Sequence, residues 1–124
     1  MNKVETGRKY EEEAALFLKK QGFCLIERNF RSRQGEIDII GIHENCLVFV
    51  EVKYRKNNNR GTAEEAVGVS KQKKICRASD YFRICHKKYQ NMQIRYDVVA
   101  VTGDISNIKW YRNAFMYQGN AGSW

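Results

Sequence analysis

The sequence predicts an α/β fold, a mixed central β-sheet flanked by helices, with the element order α-β-β-β-α-β-β. Three observations carry that reading. Two segments, 7–21 and 70–89, repeat apolar residues at helical spacing. The stretch Gly35 to Lys53 reads as a β-hairpin, two β-branched runs around the polar break His43-Glu44-Asn45. Alternating runs at 23–30, 94–101 and 108–112 supply the other strands.

At 124 residues the chain is expected to be one domain, 1–118, with a disordered tail at 119–124. Apolar residues make up 43% and charged residues 29%, which excludes a wholly disordered protein. No apolar run approaches the roughly 18 residues of a transmembrane helix. Met1-Asn2-Lys3-Val4-Glu5 lacks the apolar core of a signal peptide. A cytoplasmic protein with no membrane partner is therefore expected. The net charge is +8, from 22 Lys and Arg against 14 Asp and Glu, and it points to a polyanion. Nucleic acid is favoured because the acids gather in the hairpin. Cys24, Cys46, Cys76 and Cys85 show no paired ligand spacing, so they are expected to be reduced and mostly buried, and a zinc site at Cys85-His86 has no support.

Taken in order, residues 1–6 are expected to form a loose arm. The first helix then runs from Gly7 to Gln21 and is closed by Gly22. Ala14, Phe17 and Leu18 make its inner stripe, and Glu11 falls on that face. Glu12 and Glu13 point elsewhere and suit the positive end of the helix dipole, a role equally open to Glu11. Phe23 to Phe30 is the first strand. Arg31-Ser32-Arg33-Gln34 is a basic turn, either solvated or in contact with phosphate.

The hairpin places Ile37, Ile39, Val48, Val50 and Val52 on one face. Glu36, Asp38, Ile40, Ile42, Leu47, Phe49, Glu51 and Lys53 lie on the other. With Glu44-Asn45 as the loop, His43 pairs with Cys46, Asp38 with Glu51 and Glu36 with Lys53. A slip of one residue would mix Glu51 and Lys53 into the apolar face. Opposed residues have Cβ atoms about 4.5–5.5 Å apart. Two carboxylates at that spacing repel unless a cation lies between them. A hard divalent ion suits them, and the alternative is a half-exposed hairpin with a cross-strand salt bridge.

After the hairpin, Tyr54 to Gly61 is polar, basic and aperiodic, and reads as a loop at the mouth of that site. Arg55, Lys56 and Arg60 on it are candidate nucleic-acid contacts, as are Arg31 and Arg33. Thr62 to Glu65 has capping-box spacing. Ser70 to Tyr89 is the second long helix, with Ile75, Ala78, Phe82, Cys85 and Tyr89 as its buried stripe. Lys71 falls on that stripe and could reach the acidic cluster. Ile94 to Val101 is a strand in which Asp97 needs a cationic partner, Arg95 or Arg28. Ile108 to Arg112 is expected to be an edge strand.

Asp38, followed after a strand-length interval by Glu51-Val52-Lys53, resembles the PD-(D/E)xK nuclease signature. A wider set resembles the YraN-like family of bacterial predicted endonucleases, itself similar to archaeal Holliday junction resolvases. That set is Gly7-Arg8, Glu11, Ala14, Phe17-Leu18, Gly22-Phe23, Arg28-Asn29, Gly35-Glu36-Ile37-Asp38, Phe49-Val50-Glu51-Val52-Lys53 and Arg95-Tyr96-Asp97. Ile37 stands where the superfamily name has Pro, and Tyr10 where the family usually has Gly. The resemblance implies a restriction-endonuclease-like core and a metal-dependent endonuclease acting on DNA, with structured or branched DNA among its substrates. It implies Mg²⁺ or Mn²⁺ held by Asp38, Glu51 and the backbone carbonyl of Val52, with Glu11 assisting through water. Lys53 would position or deprotonate the attacking water, and Lys71 would be an auxiliary basic residue. Cleavage to 5′-phosphate and 3′-hydroxyl ends, and a homodimer, are further implications. The alternative is a non-catalytic nucleic-acid binding module with a vestigial site. Such a module should have lost one of Asp38, Glu51 and Lys53, and all three are present.

Overall fold

The computed structural model describes residues 3–55, 67–103 and 107–118. The elements run α1 (Lys3–Lys20), β1 (Cys24–Arg31), β2 (Glu36–His43), β3 (Cys46–Arg55), α2 (Val69–Cys85), a 3₁₀ turn (Lys87–Tyr89), β4 (Gln93–Thr102) and β5 (Ile108–Phe115). The order matches the sequence reading. The five strands form one sheet in the order β1-β2-β3-β4-β5. Only β3 and β4 are parallel, and α2 lies on the crossover between them.

α1 starts at Lys3, so residues 3–6 extend the helix and are not the arm expected there. It ends on a left-handed Gly22, φ 93°. The Phe23 N–H reaches back to the Leu18 carbonyl at 3.0 Å, and both side chains are buried in one cluster. This is the Schellman termination with its apolar contact. The β2–β3 turn is Glu44-Asn45, both at positive φ (50° and 65°), as a two-residue hairpin turn requires.

Each face of the sheet carries a core. On the α1 side Ala14, Ala15 and Leu18 pack on Ile39, Val48, Val50 and Val99. On the α2 side Ile75, Ala78 and Phe82 pack on Ile40, Leu47, Phe49, Tyr96 and Val98. Phe82 meets Phe30 and Phe49 edge-on, at 5.3 and 6.0 Å between centroids. Ile37 departs from the expected alternation, because it packs on the α2 side with Phe30, its partner in β1. The backbone is left-handed at the residue before Phe30, Asn29 (φ 54°), which breaks the period of two along β1.

Three other expectations are corrected. Tyr54 and Arg55 belong to β3, where they pair with Val101 and Thr102 of β4, and are not part of a loop. The helical stripe ends before Cys85, which is exposed: α2 stops there, and His86 turns its ring onto Phe82 at 4.0 Å. Cys24 is also exposed, Cys46 is half-buried, and of the four only Cys76 is buried. Lys56, Arg60, the capping box at Thr62 to Glu65 and the tail 119–124 lie outside the described residues. Among those described, no helix is long and apolar enough to cross a membrane.

Asp97 is fully buried on the α1 side and fully bonded. Arg95 reaches it at 2.8 Å, Trp110 Nε1–H at 2.8 Å and the Asn113 N–H at 2.9 Å. Of the two partners expected, Arg95 is the one found; Arg28 pairs with Glu12 at 2.6 Å, so Glu12 is not simply solvated. The β4–β5 ladder is irregular between Tyr96 and Val98, and Asn113 has φ 54°. That irregularity turns an edge-strand N–H inward onto the carboxylate.

Candidate active site

The hairpin ladder explains the site. Pairing runs from His43↔Cys46 to Ile39↔Val50 and stops there. One step further, where Asp38 would face Glu51, the Val52 N–H donates at 2.8 Å to the Asp38 carboxylate instead of to β2 backbone. The strands therefore part at the acidic end of the hairpin. In an extended strand one residue's N–H and C=O point to the same side, so the Val52 carbonyl faces the same gap.

Asp38 and Glu51 are both buried, at 9% and 5% exposure. Glu51 acts on Asp38 both by its charge and as a partner for a hydrogen bond, one that needs a proton on one of the two carboxyls. Burial, then the bond and charge of Glu51, push Asp38 up to about 8 from an ordinary 3.8. The Val52 N–H and Lys71 oppose that rise without cancelling it. Lys71, on the first turn of α2, sets its Nζ 3.2 Å from Glu51. Burial alone would lower its pKa, but Glu51, Asp38 and Glu36 together raise it.

Glu11 of α1 is half-buried on the other flank. Burial and then the Asp38 charge raise its pKa, while Arg28 and a hydrogen bond from Asn29 pull it down. Lys53 is half-buried and forms no ion pair among the described residues. It follows Glu51 by two residues and so lies on the same strand face. Arg31 is the last residue of β1, paired with Glu36 of β2 and not part of the turn expected there, and its Nε stands 3.5 Å from the Glu36 carboxylate; Arg33 lies exposed in the β1–β2 turn. Arg55 closes β3.

Two features escaped the sequence reading. Tyr10 stacks on Tyr54 at 4.2 Å, nearly parallel at 7°, and so ties the residue before Glu11 to the residue after Lys53. Lys74 stands against the β1–β2 turn at Gly35. Tyr10 was visible as a departure from its family, but its partner was not. Lys74 was one of many cations on α2, and only the close approach at Gly35 singles it out.

Among the described residues no group of three or more His, Cys, Asp and Glu side chains is placed to hold an ion. Two carboxylates and one carbonyl remain, all oxygen donors. That set fits Mg²⁺ or Mn²⁺, which bind through one or two carboxylates and keep water on the other positions. A buried pair that must otherwise share a proton is itself a place for positive charge.

These features define an α/β protein with a restriction-endonuclease-like core, its sheet opening onto a buried acid pair between two helices. The chain belongs to the family described as "Uncharacterised protein family UPF0102", the YraN family, whose model matches residues 10–101. A UPF0102 protein of Caldicellulosiruptor saccharolyticus is 42% identical over 119 residues, covering 93% of this chain and all of that one. One from Pseudoalteromonas translucida is 44% identical over 115 residues, covering 92% and 93% of the two chains. A third, from Lachnoclostridium phytofermentans, is 39% identical over 120 residues, covering 97% and 100%.

Proposed function

We propose that the protein is a metal-dependent endonuclease that hydrolyses phosphodiester bonds in DNA, structured or branched DNA included. The family description names no activity, so the reading rests on the site. One observation carries it: Asp38 and Glu51 are buried together where β2 and β3 part, with Lys71 3.2 Å from Glu51 and Lys53 on the same strand face.

Asp38, Glu51 and the Val52 carbonyl would hold the divalent ion. When bound, the ion supplies Lewis acidity toward the phosphate and lowers the pKa of water. The chain's residues do the rest. Lys71 pairs with Glu51 at 3.2 Å and fixes its carboxylate in place. Lys53 orients the attacking water and donates to the phosphoryl oxygens as their charge grows. It cannot ligate a metal while protonated. Glu11 orients a further water from the α1 side.

The test uses wild type, Asp38→Asn and Lys53→Ala on linear, nicked, flapped and four-way DNAs with Mg²⁺, Mn²⁺ or EDTA, beside calorimetric Mn²⁺ titration. Wild type should cleave only with metal. Asp38→Asn should lose both Mn²⁺ binding and cleavage, while Lys53→Ala should keep Mn²⁺ binding and lose cleavage. Cleavage surviving in Asp38→Asn would overturn the assignment, and unaltered Mn²⁺ binding in that variant would reduce the pair to a structural role.

A further inference from the structure

The β1–β2 turn is held by its own bonds. Ser32 N–H donates to the Gly35 carbonyl at 2.9 Å, the Ser32 hydroxyl reaches the same oxygen at 3.1 Å, and the Gln34 N–H donates to that hydroxyl at 3.2 Å. The turn also lies close against α2. A Cβ on Gly35 would stand 3.1 Å from both the Cβ and the carbonyl oxygen of Lys74. Between turn and helix opens a cleft of about 340 Å³, with Arg31, Arg33 and Gln34 on one wall, Lys74 on the other and Glu36 among its lining.

Three cations thus converge on a concave surface against one carboxylate. The Arg31–Glu36 contact is 3.5 Å long and both side chains are more than half exposed, so it is a weak competitor. Arg33 and Lys74 make no ion pair among the described residues. Glu36 of its lining is two residues before Asp38 on β2, which sets the cleft beside the acid pair. A concave, polar, cationic cleft beside a phosphodiester site suits an anion with several acceptor oxygens.

We infer that this cleft binds a second backbone phosphate of the same DNA strand whose scissile phosphate lies at Asp38 and Glu51. This rests on the nuclease reading above for the identity of the strand. Lys71, which reaches Glu51, and Lys74, which lines the cleft, are one turn apart on α2, so the cleft phosphate is a near neighbour of the scissile one on the strand. The substrate must therefore continue past the scissile bond on that side, and a mononucleotide ester is a poor one.

The experiment is salt-dependent binding of a fluorescent DNA duplex in EDTA, with cleavage of the same duplex in Mn²⁺ run in parallel. Wild type, Arg33→Ala/Lys74→Ala and a control of equal charge loss, Lys19→Ala/Lys20→Ala, are compared. Lys74→Ala keeps the Cβ on which Gly35 packs, and Arg33→Glu alone serves as a second cleft variant. The double cleft variant should reduce the slope of log K against log salt by about 1 and weaken binding several-fold. Arg33→Glu should also weaken it, and the control should keep the wild-type slope. An unchanged slope in the cleft variants, an equal loss in the control, or no DNA binding by wild type would each overturn the cleft. Loss of slope without any cleavage by wild type sinks the nuclease reading alone. Cleavage with unchanged slopes sinks the cleft alone.

Discussion

Asp38 is the residue in which burial, charge and hydrogen bonding meet. Its carboxyl titrates near 8, against 3.8 in an ordinary setting. A carboxyl that holds its proton more tightly in the folded than in the unfolded chain stabilises the fold below its unfolded pKa. That contribution is lost as pH rises through the folded value. Between about pH 4 and pH 8, then, metal-free protein should lose stability at the steepest by about 1.4 kcal/mol per pH unit on this account. Asp38→Asn keeps the shape, keeps an acceptor for the Val52 N–H and removes the titration. In EDTA it should be no less stable than wild type at pH 5 and more stable at pH 8. Glu11 also has a raised pKa, first from burial, which both proteins share, and then from the Asp38 charge, which the variant removes, so the difference between them reports Asp38 together with its effect on Glu11. Thermal melts of both proteins at the two pH values check this. A gap in melting temperature that does not widen with pH would mean that the pair holds no extra proton.

At the scale of the element, the sheet depends on one absent side chain. A Cβ on Gly41 of β2 would stand 2.1 Å from the Phe23 ring and 2.5 Å from the Cys24 carbonyl. The ring is anchored in the α1-side core and the carbonyl is backbone, so neither can yield cheaply. Gly41→Ala should therefore cost about 1–3 kcal/mol, as overpacking does, and chemical denaturation would measure it. Wild-type stability in this variant would mean that β1 can shift away from β2 at no cost. Gly41 shows what the sequence could not display, because its requirement comes from a residue in another element. The alternation of the hairpin did display its register, since a slip would have exposed one face and buried charge in the other. The two-residue turn and the opposition of Asp38 and Glu51 followed from that alternation. The parting of the strands did not, because it depends on a side chain replacing a backbone acceptor at Val52. Ile37 was misplaced because the period of two fails beside a left-handed Asn29. Cys85 was misplaced because a helical stripe carries no mark of where the helix stops. Arg55 was given to a loop because a polar strand end looks like one until β4 is seen beside it.

Across the whole molecule, charge is distributed unevenly in kind and not only in amount. Among the described residues Asp38, Glu51 and Asp97 are buried, while no Lys or Arg is, in a chain of net charge +8. Lys73, Lys74 and Arg77 are exposed on α2, and Arg31 and Arg33 at the turn beside it. The exposed part of α2 is thus a row of long cations with few short polar side chains of the kind that read base edges. Such a surface neutralises phosphates and carries little sequence information. Binding to duplex DNA should accordingly weaken linearly on a logarithmic salt scale, with a slope of about −0.9 for each phosphate neutralised. Duplexes of equal length and unrelated sequence should bind within a few-fold of one another. Fluorescence anisotropy across a salt series, repeated on several sequences, measures both. A flat salt response would remove the electrostatic argument. A strong preference for one short sequence would instead require base contacts that this cationic face does not offer, and would move the recognition surface away from α2 and the β1–β2 turn.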